Sequence, residues 1–222
     1  MIRQLLKKLI HPFLKYGTQM YSLKPRPYSY NGIEVMVMPD VFPPQYTMST
    51  KILLDFINHL DVKNKTVLEL GCGSGIIALY AASKEAIVTA SDINTIALKA
   101  LKKAALKNTL VVDIIHSNLF TAITNISFDY VIINPPYYPK TPKNIKEQAW
   151  FCGESFEYFK DLFHQLSKRQ DKYVFMILSE DCDINTIKQI ALDYQIQLDV
   201  ELEKTVIAEQ NFIFRIKKLK PF

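Results

Sequence analysis

From residue 66 onward, short apolar runs alternate with helical patterns, and that alternation narrows the fold more than anything else in the chain. Apolar runs at 66–70, 86–90, 111–115, 128–133 and 173–179 read as strands, and stretches at 76–83, 95–107, 155–169 and 184–193 read as helices. Repeated strand–helix–strand units close only as a mostly parallel sheet with helices on both faces. Two last strands, near 196–203 and 206–216, have no helix between them and predict an antiparallel hairpin. In such sheets ligands gather over the carboxyl ends of the strands, so the residues that follow each strand carry the functional argument.

Three strand ends stand out. Thr66-Val67-Leu68-Glu69-Leu70 runs into Gly71-Cys72-Gly73-Ser74-Gly75 and then a helical pattern. Alternate glycines let backbone approach a ligand where a Cβ would clash, and the helix that follows offers free N–H groups. The spacing is not that of a dinucleotide fingerprint, and no phosphate-loop Lys-Ser/Thr follows, which argues against a nucleoside triphosphatase. The next run ends at Ser91-Asp92, an acid 21 positions after Gly71, the interval at which doubly wound folds place a ribose acceptor. Finally, Phe128-Asp129-Tyr130-Val131-Ile132-Ile133 ends abruptly in Asn134-Pro135-Pro136-Tyr137. Two prolines fix φ and remove two donors, leaving the Asn134 oxygen, nearby carbonyls and an aromatic face. Acceptors beside a ring suit a planar NH2 group, which needs partners for two hydrogens and a surface to stack on.

In order and spacing over residues 40–180, these three motifs and Ile93-Asn94 resemble class I S-adenosylmethionine-dependent methyltransferases that act on amino groups. Within that superfamily the chain is most similar to the short HemK-like protein-glutamine methyltransferases, a likeness that Thr141-Pro142 and Ala149-Trp150-Phe151-Cys152-Gly153 extend. The resemblance implies an α/β fold: a seven-stranded, mostly parallel, doubly wound Rossmann-like sheet with one reversed strand near the C-terminus. It implies S-adenosylmethionine as cofactor and S-adenosylhomocysteine as product. Gly71, Cys72 and Gly73, with Glu69 nearby, would line the methionine part. Asp92 would accept the ribose hydroxyls, Ile93 would pack on adenine, and Asn118-Leu119 would read the adenine amino group. Relatives close a loop over the cofactor at the position of 41–50, and Thr47 and Thr50 are both candidates for its closing residue. At the corner, Asn134 and the Pro135 carbonyl would accept the two hydrogens of the acceptor nitrogen, Pro136 would hold the turn and Tyr137 would stack on the acceptor plane.

The leading expectation is N-methylation of a protein glutamine amide. The alternatives are an exocyclic amino group of adenine or guanine in RNA or DNA, a small-molecule amine, and a non-catalytic cofactor-binding subunit of a heterodimer. The basic row Lys140, Lys143 and Lys146 after the corner suits phosphates. Relatives in the short branch imply a small activating partner protein.

Composition excludes more than it assigns. At 49% hydrophobic residues the chain is a folded protein rather than a disordered one. Cys72, Cys152 and Cys182 form no CxxC pair and the four histidines show no ligand spacing, so reduced thiols, a cytoplasmic setting and no metal are expected. No apolar run approaches the roughly 20 residues of a membrane span. Ile2 to Leu14 is broken by Lys7, Lys8 and His11-Pro12 and lacks a signal peptide's apolar core. The net charge of +5 is split: residues 1–30 hold six basic residues and no acid, residues 215–222 hold four, and the remainder carries 17 basic against 22 acidic residues. Basic ends on an acidic body mark either a polyanion-binding edge or a solvated helix face. Two regions are expected: 1–40 as a basic amphipathic helix (2–16) with an extended cap, and 41–222 as the methyltransferase domain. Residues 17–30 are expected to cover the site entrance, Asn31-Gly32 to turn, and 33–38 to form a strand. Ser49 or Thr50 is expected to N-cap a helix over 51–60.

Overall fold

Successive side chains of the central strands point to opposite faces, and most positions are apolar on both. A computed structural model describes residues 24–206 and 209–219. Its strands are β1 (Arg26–Tyr30), β2 (Ile33–Val37), β3 (Thr66–Leu70), β4 (Ile87–Asp92), β5 (Asp113–His116), β6 (Tyr130–Ile133), β7 (Tyr173–Ser179), β8 (Ile196–Val206) and β9 (Glu209–Lys218). The helices are α1 (Met48–Asn58), α2 (Ile76–Ser83), α3 (Thr95–Lys107), α4 (Glu157–Ser167) and α5 (Ile184–Asp193). Seven strands form one sheet in the order β5-β4-β3-β6-β7-β9-β8, parallel from β3 to β7, with β9 reversed between β7 and β8. This is the doubly wound, mostly parallel sheet expected, and its strand order changes direction between β3 and β6.

The alternation sorts the core into two layers. Val67 and Ile132 face a cluster built on α1, α2 and α3, with Leu53, Ala78 and Leu101 fully buried. Leu68, Leu70, Val131 and Ile133 face a second cluster on α4 and α5, with Phe159, Phe163 and Ile187 fully buried. Each face of the sheet therefore buries a helical layer, which is what holds the strand ends in fixed relation to one another.

β1 and β2 form a separate hairpin through Asn31 (φ 45°) and Gly32 (φ 84°), a two-residue turn with both residues left-handed. The hairpin lies on the helical layer. Tyr30 Oη donates to Asp55 Oδ1 at 2.7 Å, its ring meets Tyr80 edge-on at 5.0 Å, and the Glu34 amide donates to Asn108 Oδ1 at 3.0 Å. None of the described residues 24–37 lines the main cavity, so this part of the expected cap covers helices rather than the entrance. The expected helix 2–16 lies outside the described residues.

Element ends shift for local reasons. The first helix begins at Met48, not 51, so Ser49 and Thr50 are inside its first turn, and extended Thr47 (φ −127°) precedes it without a side-chain cap bond. β6 begins at Tyr130, because the Phe128 amide donates to Asp171 Oδ1 and the Asp129 amide to Thr66 Oγ1, side-chain atoms that take the place of a neighbouring strand's carbonyls. β8 is an open edge with a bulge between Val200 and Leu202, and its outer half presents Glu201, Glu203 and Lys204 to solvent.

Gly75 opens α2 at φ +73°, and a Cβ there would lie 2.9 Å from Cγ of the fully buried Leu101. Gly75→Ala combines a left-handed backbone with overpacking and should cost about 3 kcal/mol. A thermal melt should show a Tm lower by on the order of 10 °C.

Candidate active site

The carboxyl ends of β3, β4, β5 and β6 open into one cavity of about 290 Å³. At β3 the chain turns sharply: the Gly71 and Cys72 amides both donate to the Ser91 carbonyl, at 2.8 and 2.9 Å, and the Gly75 amide donates to the Cys72 carbonyl at 2.7 Å. Gly71 and Gly73 sit at φ +73° and +50°, and a Cβ on Gly71 would meet no protein atom within 4 Å. Glycine here keeps open a space that a side chain would fill.

Asp92, the last residue of β4, accepts the Gly73 amide on Oδ2 at 2.7 Å and the Asn94 amide on Oδ1 at 2.8 Å. Each oxygen keeps a lone pair for a ligand. Burial pushes its carboxyl above the usual range, against the pull of those two N–H groups. Glu69 is also buried and raised well above its ordinary value by desolvation, with the Ala78 amide opposing and Asp92 adding to the rise. Its Oε2 accepts that amide at 2.7 Å, so Glu69 ties β3 to the first turn of α2 while it lines the cavity. One buried and one half-buried carboxyl group make this end of the cavity receptive to a cation.

The β5–β6 loop supplies Asn118 and Leu119, the latter at φ +49°. Ser117 Oγ donates to the Leu119 carbonyl at 2.7 Å and the Phe120 amide donates to Gln165 Oε1 on α4 at 2.9 Å. Farther along, Arg169 donates to the carbonyls of Ile123 and Ile126 and to Asp171, and its guanidinium lies 4.3 Å above the Phe120 ring centre. These contacts pin a loop that has no regular structure of its own.

At the end of β6, Asn134, Pro135 and Pro136 line the cavity, and the Asn134 amide makes no hydrogen bond among the described residues. A flap over residues 138–153 follows. It is closed by the Cys152 amide donating to the Tyr138 carbonyl at 3.0 Å and the Gly153 amide donating to the Lys140 carbonyl at 3.1 Å. Its Pro142, Gln148 and Phe151 face the cavity. Opposite, a strap over residues 39–47 brings Asp40, Val41 and Phe42 to the other lip.

The structure thus brings Glu69, Gly71, Cys72, Gly73, Asp92, Ile93, Asn118, Leu119, Thr50, Asn134, Pro135 and Pro136 around one space. Two expected residues stand apart. Thr47 does not line the cavity; its Oγ1 accepts from Ser49 Oγ at 3.3 Å, while Thr50, one turn into α1, is buried and does line it. Tyr137 packs against the second core cluster, its ring 4.7 Å from that of Tyr138, and is not part of the cavity wall. Stacking on an acceptor would need that ring to turn. Tyr158 of α4, Phe42 and Gln148 line the cavity and were not anticipated. Only the Phe42-Pro43-Pro44 turn carried a local signal.

The three cysteines are free and buried, and burial raises the Cys152 thiol to about 11 and Cys182 to about 12. Among the described residues no cluster of histidine, cysteine and carboxylate suits a metal ion, and no helix is long and apolar enough to cross a membrane. The donor set fits S-adenosylmethionine. A bare glycine turn leaves room for its methionine part, Asp92 has free lone pairs for two ribose hydroxyls, Ile93 and Leu119 offer apolar surface, and the carboxylates suit its positive charge.

Comparison with known proteins gives the same direction. The family model for the methyltransferase small domain matches residues 32–152. A Methanocaldococcus jannaschii protein provisionally named as a protein N5-glutamine methyltransferase is 39% identical over 109 residues, 49% of this chain and 53% of the relative. Ribosomal RNA small subunit methyltransferase C of Buchnera aphidicola is 32% identical over 118 residues, 52% of this chain and 36% of the relative. The chain therefore spans about half or less of the length of these relatives. The Mtq2–Trm112 complex of E. cuniculi, responsible for methylating the eRF1 translation termination factor, superposes with a TM-score of 0.59 at 19% identity. That alignment covers 81% of this chain and 99% of the solved one.

Proposed function

The chain belongs to the methyltransferase small domain family, and we propose that it moves the methyl of S-adenosylmethionine to a planar NH2 group on a macromolecule. One observation carries the reading: an Asn134 side-chain amide with no hydrogen-bond partner among the described residues, held by two prolines, opens into the same cavity as Asp92 and the bare Gly71–Gly73 turn. When bound, the cofactor supplies a methyl made electrophilic by its sulfonium. The chain's own task is then one of orientation and electrostatics. Gly71 and Gly73 would leave space for the methionine part and Asp92 would hold the ribose, on the strand ends beside the Asn134 corner. Asn134 Oδ1 and the Pro135 carbonyl each accept one hydrogen of the acceptor nitrogen. Their negative ends stabilise the positive charge that grows there as the N–C bond forms and the C–S bond breaks. The nitrogen afterwards loses a proton to water, so no general base is needed.

A protein glutamine amide is the acceptor we favour, supported by the 39% identity to the provisionally named glutamine methyltransferase. An activating partner protein belongs to this reading by analogy with the E. cuniculi complex. A second reading, an amino group of an RNA base, is supported by the ribosomal RNA relative and by Lys140 and Lys143, which stand exposed on the flap. Labelled methyl transfer into a cell extract separates them. Label released by protease but not nuclease supports the glutamine reading, and the reverse supports the base. Absence of label in either pool, with the purified chain unable to bind S-adenosylhomocysteine, would overturn methyl transfer itself.

A further inference from the structure

The two lips of the cavity touch through one aromatic pair. Phe42 of the strap and Trp150 of the flap have ring centroids 4.7 Å apart at a tilt of 49°. Phe42 also lines the cavity, and Trp150 sits between Ala149 and Phe151, which both do. The flap holds Trp150 by its backbone: its amide donates to the Glu147 carbonyl at 3.0 Å, and its carbonyl accepts the Tyr138 amide at 3.1 Å. The strap is held from the cofactor side, where Asn94 Nδ2 donates to the Asp40 carbonyl at 2.9 Å. The backbone amide of the same Asn94 donates to Asp92 Oδ1, and its Oδ1 accepts the Ile96 amide at the start of α3. Contacts therefore run without a break from Asp92 through Asn94, Asp40 and Phe42 to Trp150, and through Tyr138 back to the corner after Asn134.

We propose that Phe42 and Trp150 are a positioning pair that couples the two halves of the site, so that a ligand on Asp92 draws strap and flap together and shapes the acceptor pocket. This rests on the cofactor reading above. The strap lacks regular strand or α-helix, and the flap is closed by a few backbone bonds, so each must lose freedom to close over a ligand. The ring contact makes that ordering common to both. The first ligand orders strap and flap together, and the second meets a pocket already formed, which is positive coupling between sites. The cofactor therefore binds before the acceptor, and an occupied acceptor pocket slows the cofactor product's escape.

Trp150 is the chain's single tryptophan, so the emission reports the surroundings of this one ring, and the Phe42 variants isolate the part due to the contact. S-adenosylhomocysteine added to the wild-type protein should change that emission in step with binding measured by calorimetry. Phe42→Ala should abolish most of the emission change and weaken binding by about three- to tenfold. The Tm of the ligand-free variant should move little. Trp150→Phe keeps a ring pair and should bind nearly as wild type does, whereas Trp150→Ala should match Phe42→Ala. The double alanine variant should be no weaker than either single one, because both remove the same contact. If Phe42→Ala fails to fold, the Trp150→Phe and Trp150→Ala comparison and the wild-type emission carry the test. Wild-type binding with silent emission and unchanged affinity in the alanine variants would overturn the coupling and leave the cofactor reading standing. No binding by the wild type would remove the cofactor reading, and the coupling with it.

Discussion

Asn134→Ala should reduce methyl transfer by on the order of 10²–10³-fold while leaving the affinity for S-adenosylhomocysteine within about twofold of wild type. The asymmetry follows from position. Asn134 follows β6 on the acceptor side, and its side-chain amide makes no hydrogen bond among the described residues. Asp92 and the glycine turn stand on the neighbouring strand ends β4 and β3. Losing the Asn134 oxygen removes an acceptor for the nitrogen at the moment its lone pair becomes a bond. The main effect should therefore fall on kcat rather than on cofactor binding. The assay pairs labelled methyl transfer with calorimetry. Transfer at the wild-type rate would show that the corner does not hold the acceptor.

Asp92→Ala should act on the other half of the site, weakening S-adenosylhomocysteine by about a hundredfold, the effect of losing two hydrogen bonds to a charged acceptor. A pH series adds a second reading. Burial raises the folded pKa of Asp92 above its ordinary value. In the ligand-free protein this group's contribution to stability is present below the unfolded pKa of about 3.9 and is lost as pH rises through the folded one. The ribose needs the charged form, so ligand affinity should run the opposite way and strengthen as pH climbs through the same window. The thermal shift given by S-adenosylhomocysteine should therefore grow with pH from the ordinary carboxylate range upward. In Asp92→Ala that slope should shrink to whatever part the buried Glu69 contributes. A ligand shift independent of pH in the wild type would separate Asp92 from the ribose.

The parts of the molecule legible from sequence are those in which neighbours in the chain decide the structure. Strand β3, its glycine turn and α2 follow one another within residues 66–83, so periodicity and the turn residues suffice. Asp92 and Asn134 end strands, and strand ends in a parallel sheet share one edge by topology. Tyr137 differs because its direction is decided by the second core cluster, much of it far along the chain, and by its neighbour Tyr138. Thr47 and Thr50 were indistinguishable until the first residue of α1 was known, since three positions of shift move a side chain round most of a helical turn. Asp171 and Thr66 shorten β6 by capturing its amides from remote positions. The Phe42–Trp150 contact joins residues from opposite ends of the catalytic half, and no local pattern announces it.

The bulged, charged edge of β8 has a consequence for how the molecule behaves in company. A flat edge would offer unpaired amides and carbonyls to any extended chain that drifted past. Here the bulge at Val200 and Leu202 breaks the regular spacing, and Glu201, Glu203 and Lys204 project from the outer half. The opposite edge, β5, is only four residues long. Concentrated solutions should therefore stay free of strand-to-strand stacking and fibre growth, even though β3, β6 and β7 between those edges are rich in the residues that favour both.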